Sequence, residues 1–90
     1  AKQVPLVAET SVARFPPGDQ NPLGIKYRLQ LYREETGATL VRYDIHHGKS
    51  HHRHFLKEEE PYEWQGVERL FEDFRRDIDR IRIMIEEGAL

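Results

Sequence analysis

The sequence predicts an α+β protein in which a small antiparallel β-meander of three to four strands packs against one long C-terminal α-helix. Apolar and polar residues alternate over residues 25–32 and again over 41–45, which is the pattern of half-buried strands. Apolar residues then recur at helical spacing from Val67 to Ile85. At 90 residues and 38% hydrophobic composition, the chain has room for one domain, expected to span residues 1–90.

The first strands follow from local pattern and turn chemistry. Loose apolar alternation over residues 4–15 indicates a strand, and Pro5 places that strand at a sheet edge. Residues 25–32 and 41–45 are expected to form a hairpin with a three-residue loop between them. Gly37 suits the left-handed position of this loop.

The hairpin loop fixes a register that can be checked against the hydrophobic pattern. Pairing Glu34 with Ala38 aligns the apolar residues in three pairs: Tyr27 with Ile45, Leu29 with Tyr43 and Leu31 with Val41. The same register aligns polar residues on the other face: Lys26 with His46, Arg28 with Asp44 and Gln30 with Arg42. We therefore expect one apolar face and one charged face.

The remaining elements complete this picture. A short third strand at 51–56 continues the meander, and residues 57–61 are expected to form a solvated turn. The helix is predicted over residues 66–87, with Gly88 as its stop. If Phe55 in the third strand points to the core, the side chains beside it divide between the two faces. His52 and His54 then share the charged face, while His51 and Arg53 point inward or lie at an edge.

Composition narrows the classes of function. There is no cysteine, which excludes disulfides, iron–sulfur clusters and thiol nucleophiles and fits a reducing cytoplasm. No apolar run approaches the ~20 residues that span a bilayer, and the first residues lack a signal-peptide pattern, so neither membrane nor secretion is indicated. Residues 24–57 carry seven Lys or Arg against three acidic residues, whereas 58–90 carry five against eleven. The thin core of so short a chain leaves a homodimer as an open alternative.

Histidines are the most distinctive feature of the basic segment. All five lie within nine residues: His46, His47, His51, His52 and His54. Because side chains two residues apart on a strand share a face, His52 and His54 are expected about 6.5–7 Å apart. They can therefore flank a single small group.

This spacing suits cleavage of RNA without a metal. One imidazole removes the proton of the 2′-hydroxyl and the other protonates the leaving 5′-oxygen, and an ordinary histidine pKa near about 6.5 suits both roles. Asp44 is expected to orient a histidine or to hold Arg28. The candidates for binding RNA phosphate lie in the same basic segment: Arg28, Arg42, Lys49, Arg53 and His51.

Other interpretations remain open. A His-x-His pair with a third histidine and a carboxylate meets the ligand count of a zinc site, although Lys49 and Arg53 would place positive charge beside the cation. The histidines could instead belong to a solvated strand end with no specific role. The chain could also be a non-enzymatic module that binds a partner protein through a sheet edge or its acidic helix. The RNA interpretation itself requires no metal or other cofactor.

Several short motifs, taken in order, resemble one known family. They are Lys26-Tyr27-Arg28-Leu29, Tyr43-Asp44, Gly48-Lys49, His51-His52-Arg53-His54, Glu60-Pro61-Tyr62 and Leu70-Phe71-Glu72-Asp73-Phe74. Their order and spacing resemble the TumE-type toxins of prokaryotic toxin–antitoxin systems, formerly a domain of unknown function. The resemblance implies a small cytoplasmic toxin of a type II system that acts on RNA or translation. It also implies a neighbouring antitoxin, often a DNA-binding repressor. The resulting hypothesis is a toxin acting as a metal-independent ribonuclease, with His52 and His54 as acid and base.

Overall fold

The computed structural model describes residues 4–46 and 50–90, which form a five-stranded antiparallel sheet and one helix. The elements are β1 (Leu6–Arg14), β2 (Ile25–Arg33), β3 (Thr39–His46), β4 (Ser50–Phe55), β5 (Glu58–Pro61) and α1 (Val67–Glu86). Each strand pairs with the next along the chain, so the sheet is a simple meander with β1 and β5 at its edges. The predicted α+β class is confirmed, with five strands in place of three to four.

The fifth strand replaces part of the predicted turn. Residues 58–61 are three glutamates and a proline, a composition with low strand propensity, which is why the sequence indicated a solvated turn. In the structure β5 pairs with β4, with Glu59 opposite His54 and Glu60 opposite Arg53. The strand therefore forms because β4 supplies backbone partners and places the cation of Arg53 opposite Glu60.

The hairpin register is confirmed through its centre and shifts near the loop. Leu29 lies opposite Tyr43 and Leu31 opposite Val41, as predicted. The register then shifts by one residue, so that Tyr32 lies opposite Thr39 and the predicted pairing of Glu34 with Ala38 is wrong. Leu40 is the extra residue, and it is buried next to the equally buried Val41. A β-bulge allows both neighbouring apolar side chains to reach the core.

The core lies between one face of the sheet and α1. The sheet contributes its buried apolar residues from β2, β3 and β4, and the helix contributes Leu70, Phe74 and Ile81. Phe71, although part of the predicted apolar stripe, is 39% exposed, whereas Asp73 and Asp77 are buried. The helix is therefore rotated so that two carboxylates face the sheet.

The helix begins and ends close to the predicted positions. Gly66 precedes its first turn without a side-chain cap, and Gly88 follows its end with φ of 74°. The amide of Ala89 donates to the carbonyl of Met84, closing the helix in the way that a left-handed glycine permits. Within residues 4–46 and 50–90, no helix is both long and apolar enough to cross a membrane.

Candidate functional site on the uncovered face of the sheet

The two faces of the sheet differ in character because side chains alternate along each strand. The helix-facing side contains Tyr43, whose ring meets Phe74 of α1 edge to face, and the residues in phase with it. We call the opposite side, which α1 does not cover, the uncovered face. It carries most of the predicted site residues and two others: Arg28, Arg42, Asp44, His46, His52, His54 and Glu59.

Asp44 lies at the centre of these polar side chains. Its Oδ2 is 3.2 Å from Nε of Arg42 and 3.4 Å from Nε2 of His46. Its Oδ1 is 3.9 Å from Nε2 of His54, and it is buried and accepts no hydrogen bond from any described residue. Arg28 lies directly opposite in the register, yet Asp44 forms its ion pair with Arg42 instead. Asp44 therefore positions Arg42 and borders two histidines.

His52 has a carboxylate neighbour that belongs to β5. Nδ1 of His52 lies 3.2 Å from Oε1 of Glu59, and the His52 ring lies against His46 with centroids 4.7 Å apart. A carboxylate beside Nδ1 favours the neutral tautomer that carries its proton on that nitrogen. This leaves Nε2 of His52 as the nitrogen able to accept a proton.

His54 is held by Arg42. Nη2 of Arg42 lies 3.2 Å from Nε2 of His54, and Oε1 of Glu59 is 3.9 Å from the same nitrogen. Because a guanidinium can only donate, Nε2 of His54 accepts this hydrogen bond in the neutral ring. Both predicted catalytic histidines thus share one face with an arginine, as the strand spacing indicated.

Arg28 provides an uncommitted cation at the side of this cluster. It lies on β2 between Ser11 of β1 and Asp44 of β3, and its side chain is exposed. Within residues 4–46 and 50–90, Arg28 forms neither an ion pair nor a side-chain hydrogen bond. Its guanidinium is therefore available to an anion bound on the uncovered face.

Arg53 lies on the other face, apart from the histidine pair. Its Nε and Nη2 donate to the two carboxylate oxygens of Asp77 at 2.8 and 2.7 Å, and its Nη1 donates to Glu60 at 2.6 Å. The hydroxyl of Tyr43 also donates to Asp77 at 2.5 Å. The hydrogen bonds to Asp77 raise the pKa of Arg53 above its ordinary value. This network joins the sheet to α1 and accounts for the burial of Asp77.

His51 also faces the helix side. Its ring is nearly parallel to those of Tyr27 and Trp64, with centroids 5.7 and 5.1 Å away. The hydroxyl of Tyr27 and Nδ1 of His51 are 2.8 Å apart. Burial, and then the charge of His52, lower the pKa of His51, while burial and Asp44 raise the pKa of Tyr27. Tyr27 therefore stays protonated, and its hydroxyl shares one hydrogen bond with Nδ1 of a neutral His51.

The lowered pKa of His51 predicts that the fold weakens in mild acid. The unfolded chain takes up a proton near the ordinary histidine pKa of about 6.5, whereas the folded chain resists it until a lower pH. The stabilising contribution is therefore complete above that value and is lost as the pH falls through the lowered pKa of the folded state. Urea unfolding from about pH 8 to about pH 5 should show this loss in the wild type and a flatter profile in His51→Gln. Equal pH dependence in both proteins would contradict it.

Some predicted site residues lie outside the described part of the chain. These are Lys49, a candidate for phosphate binding, and His47 and Gly48 of the same loop. Among the residues that the structure does describe, no group of three or more histidine, aspartate or glutamate side chains is arranged to hold a metal ion.

Sequence reasoning did not assign Glu59 or Asp77. Glu59 was part of an acidic run interpreted as a turn, and its approach to His52 depends on the pairing of β5 with β4. Asp77 is not part of the predicted apolar stripe of the helix, so the helical pattern gave it no role. The available signal was Arg53, whose phase with Phe55 already indicated a cation pointing toward the core.

The fold and site define a small α+β protein with a histidine-rich, uncovered sheet face. A family model described as Toxin TumE matches residues 3–82, and the chain belongs to this toxin family. This confirms the family indicated by the short motifs. No curated protein and no solved structure matches the chain.

Proposed function

We propose that this member of the toxin family cleaves RNA on the uncovered face of its sheet, with His52 and His54 exchanging protons and without a metal. The observation that carries the proposal is the position of these two imidazoles on one face, with Arg42 bound to His54 and Glu59 beside His52. Two imidazoles can supply the proton transfers of phosphodiester transfer to an internal hydroxyl, and a guanidinium can stabilise the charge that develops on the phosphate.

The attacking and leaving oxygens both belong to the RNA, and the two imidazoles carry the protons. One imidazole takes the proton of the 2′-hydroxyl, whose oxygen forms a bond to the adjacent phosphorus. The bond from phosphorus to the 5′-oxygen of the next nucleotide breaks, and the second imidazole gives that oxygen a proton. The products are a 2′,3′-cyclic phosphate and a free 5′-hydroxyl, and no co-reactant is consumed.

The surroundings of each histidine support distinct roles. Glu59 favours the tautomer of His52 whose Nε2 can accept a proton, so we assign His52 as the base. We assign His54 as the acid in its protonated form, in which Nε2 no longer accepts from Arg42 and instead donates to the leaving 5′-oxygen. Arg42 and Arg28 are assigned to the phosphate oxygens, with Asp44 as a positioning residue for Arg42. Arg53 and His51 have no part in this mechanism because both face α1 and already have partners there.

Membership of a toxin family also supports a protein partner. We propose that an antitoxin, itself able to bind DNA, restrains the protein, and that the substrate RNA is met in the cytoplasm. An antitoxin bound on the uncovered face would block the histidines directly, because His52 and His54 lie on this face and α1 packs on the other.

The test is cleavage of two matched oligonucleotides by the purified protein, with and without a chelator. One oligonucleotide is all RNA, and the other carries 2′-deoxynucleotides throughout. The proposal expects cleavage of the RNA alone, at the same rate in the chelator, with products that end in a cyclic phosphate. Cleavage of the deoxy oligonucleotide, or loss of activity in the chelator, would contradict the mechanism. A stable complex with a partner protein but no turnover of RNA would favour the non-enzymatic module.

A further inference from the structure

The two edges of the sheet are built differently. β5 is four residues long and consists of three glutamates and Pro61. The amide of Tyr62 donates to the carbonyl of His51, so the antiparallel alternation directs the backbone groups of Glu59 and Pro61 toward the outer edge. A proline without an N–H group and a run of like charges both discourage pairing with another strand. The β5 edge is therefore protected.

The edge formed by β1 has none of these protections. β1 is nine residues long, and its sequence from Leu6 to Arg14 contains no proline and no lysine. Seven of its residues, beginning with Ala8, are exposed, and no strand within residues 4–46 and 50–90 pairs with its outer edge. A long, exposed and weakly charged edge is a template for another strand.

The backbone groups offered by this edge follow from the pairing with β2. The amide of Glu34 donates to the carbonyl of Pro5, and that of Phe15 donates to the carbonyl of Gly24. Because hydrogen-bonded pairs alternate along an antiparallel ladder, the odd-numbered residues of β1 bond to β2. The even-numbered residues therefore direct their N–H and C=O groups outward: Leu6, Ala8, Thr10, Val12 and Arg14.

We propose that β1 pairs with β1 of a second copy of this chain, antiparallel and centred on Thr10, to form one continuous sheet across a twofold axis. In this register Ala8 lies opposite Val12 of the second copy, Leu6 opposite Arg14, and Thr10 opposite Thr10. Each even-numbered residue, whose N–H and C=O groups point outward, lies opposite an even-numbered residue of the second copy. All of these outward backbone groups therefore form hydrogen bonds across the interface. The helix-facing sides of the two sheets also coincide, because even-numbered residues meet even-numbered residues.

The side chains of β1 fit this self-pairing. Glu9 meets Ser11 and Val7 meets Ala13, so no like charges lie opposite one another. A twofold interface must be complementary to itself, and small or β-branched residues in facing positions satisfy that condition. Antiparallel self-pairing of β5 would place glutamates of the two copies opposite one another, and their like charges would repel. We therefore assign β1, and not β5, as the dimer edge.

The register is tested by two double variants that alter the same positions. In Ala8→Glu/Val12→Glu each new glutamate faces a glutamate of the second copy, whereas in Ala8→Glu/Val12→Lys each glutamate faces a lysine. Sedimentation equilibrium should find the wild type dimeric and the first variant with a dimer dissociation constant raised about tenfold or more. The second variant should stay close to the wild type, and circular dichroism checks that both are folded.

A monomeric wild type, two dimeric variants, or two folded monomeric variants would each overturn the proposal. A second measurement needs no variant and follows amide hydrogen exchange in the wild type at low and high protein concentration. The amides of Ala8, Thr10 and Val12 should become protected on dimerisation, whereas those of Glu9 and Ser11 are protected throughout. Protection of the outward amides only after a different protein is added would assign the edge to that partner and overturn the dimer.

Discussion

Replacing Asp77 with alanine is expected to lower the free energy of unfolding by about 2–4 kcal/mol. Asp77 is 3% exposed and accepts two hydrogen bonds from Arg53 and one from Tyr43. Its removal leaves a guanidinium and a buried hydroxyl without their acceptor. Loss of one member of a buried ion pair costs about 3–5 kcal/mol, and the contact of Arg53 with Glu60 together with its partial exposure reduces the expected value.

The matched control for this variant is Asp79→Ala. Asp79 lies on the same helix but is exposed, so both variants gain the same helix propensity while only one breaks the network. Denaturant unfolding followed by circular dichroism should give a change within about 0.5 kcal/mol for the control. Replacing both partners by apolar residues, in Arg53→Met/Asp77→Leu, should recover stability relative to Asp77→Ala. Equal stability of Asp77→Ala and Asp79→Ala would show that the network contributes nothing.

Replacing either histidine of the proposed pair should nearly abolish RNA cleavage while leaving RNA binding in place. His52→Gln and His54→Gln each remove one proton-transfer group, a loss that lowers the rate by about 10²–10⁴-fold. Glutamine is polar and close to histidine in size, so the fold and KM should change little. Because the two groups act in one step, the double variant should be scarcely slower than the worse single variant.

Arg75→Gln is the control for these variants because Arg75 is an exposed residue of α1, on the other side of the molecule from the proposed site. It should cleave RNA at the wild-type rate. Single-turnover assays in the presence of a chelator measure the proton-transfer step in the wild type and in all four variants. Wild-type rates in both single histidine variants would remove this pair from the mechanism and leave the uncovered face without its proposed chemistry.

The elements that sequence predicted well are those in which local pattern and tertiary environment agree. The alternation in β2 and β3 fixed their pairing from Arg28 to Leu31 because a shift by one residue would expose every apolar side chain. The same alternation placed His52 and His54 on one face once Phe55 faced the core. The helix was predicted to within one residue at each end, since its apolar period and Gly88 mark it locally.

The features that sequence missed depend on contacts between distant residues. β5 is a strand only because β4 is beside it, and its glutamates gave no local signal for one. The helix buries Asp77 in preference to Phe71 because Arg53, 24 residues earlier, supplies a bidentate partner. The bulge at Leu40 had a local signal, since two consecutive apolar residues interrupt the alternation at Leu40 and Val41.

The measurement that most directly tests the central claim is a titration of the protein with a 2′-O-methyl RNA oligonucleotide, followed by NMR of the histidine imidazoles. The modified RNA can bind but cannot be cleaved, because its 2′-oxygen carries no proton to remove. Binding on the uncovered face predicts shifts of the His52 and His54 resonances, while the resonances of His51, which faces α1, stay unchanged. Backbone amide spectra of the same samples show where else the RNA binds. Amide shifts confined to α1 or to β1, with the His52 and His54 resonances unmoved, would contradict binding on the uncovered face.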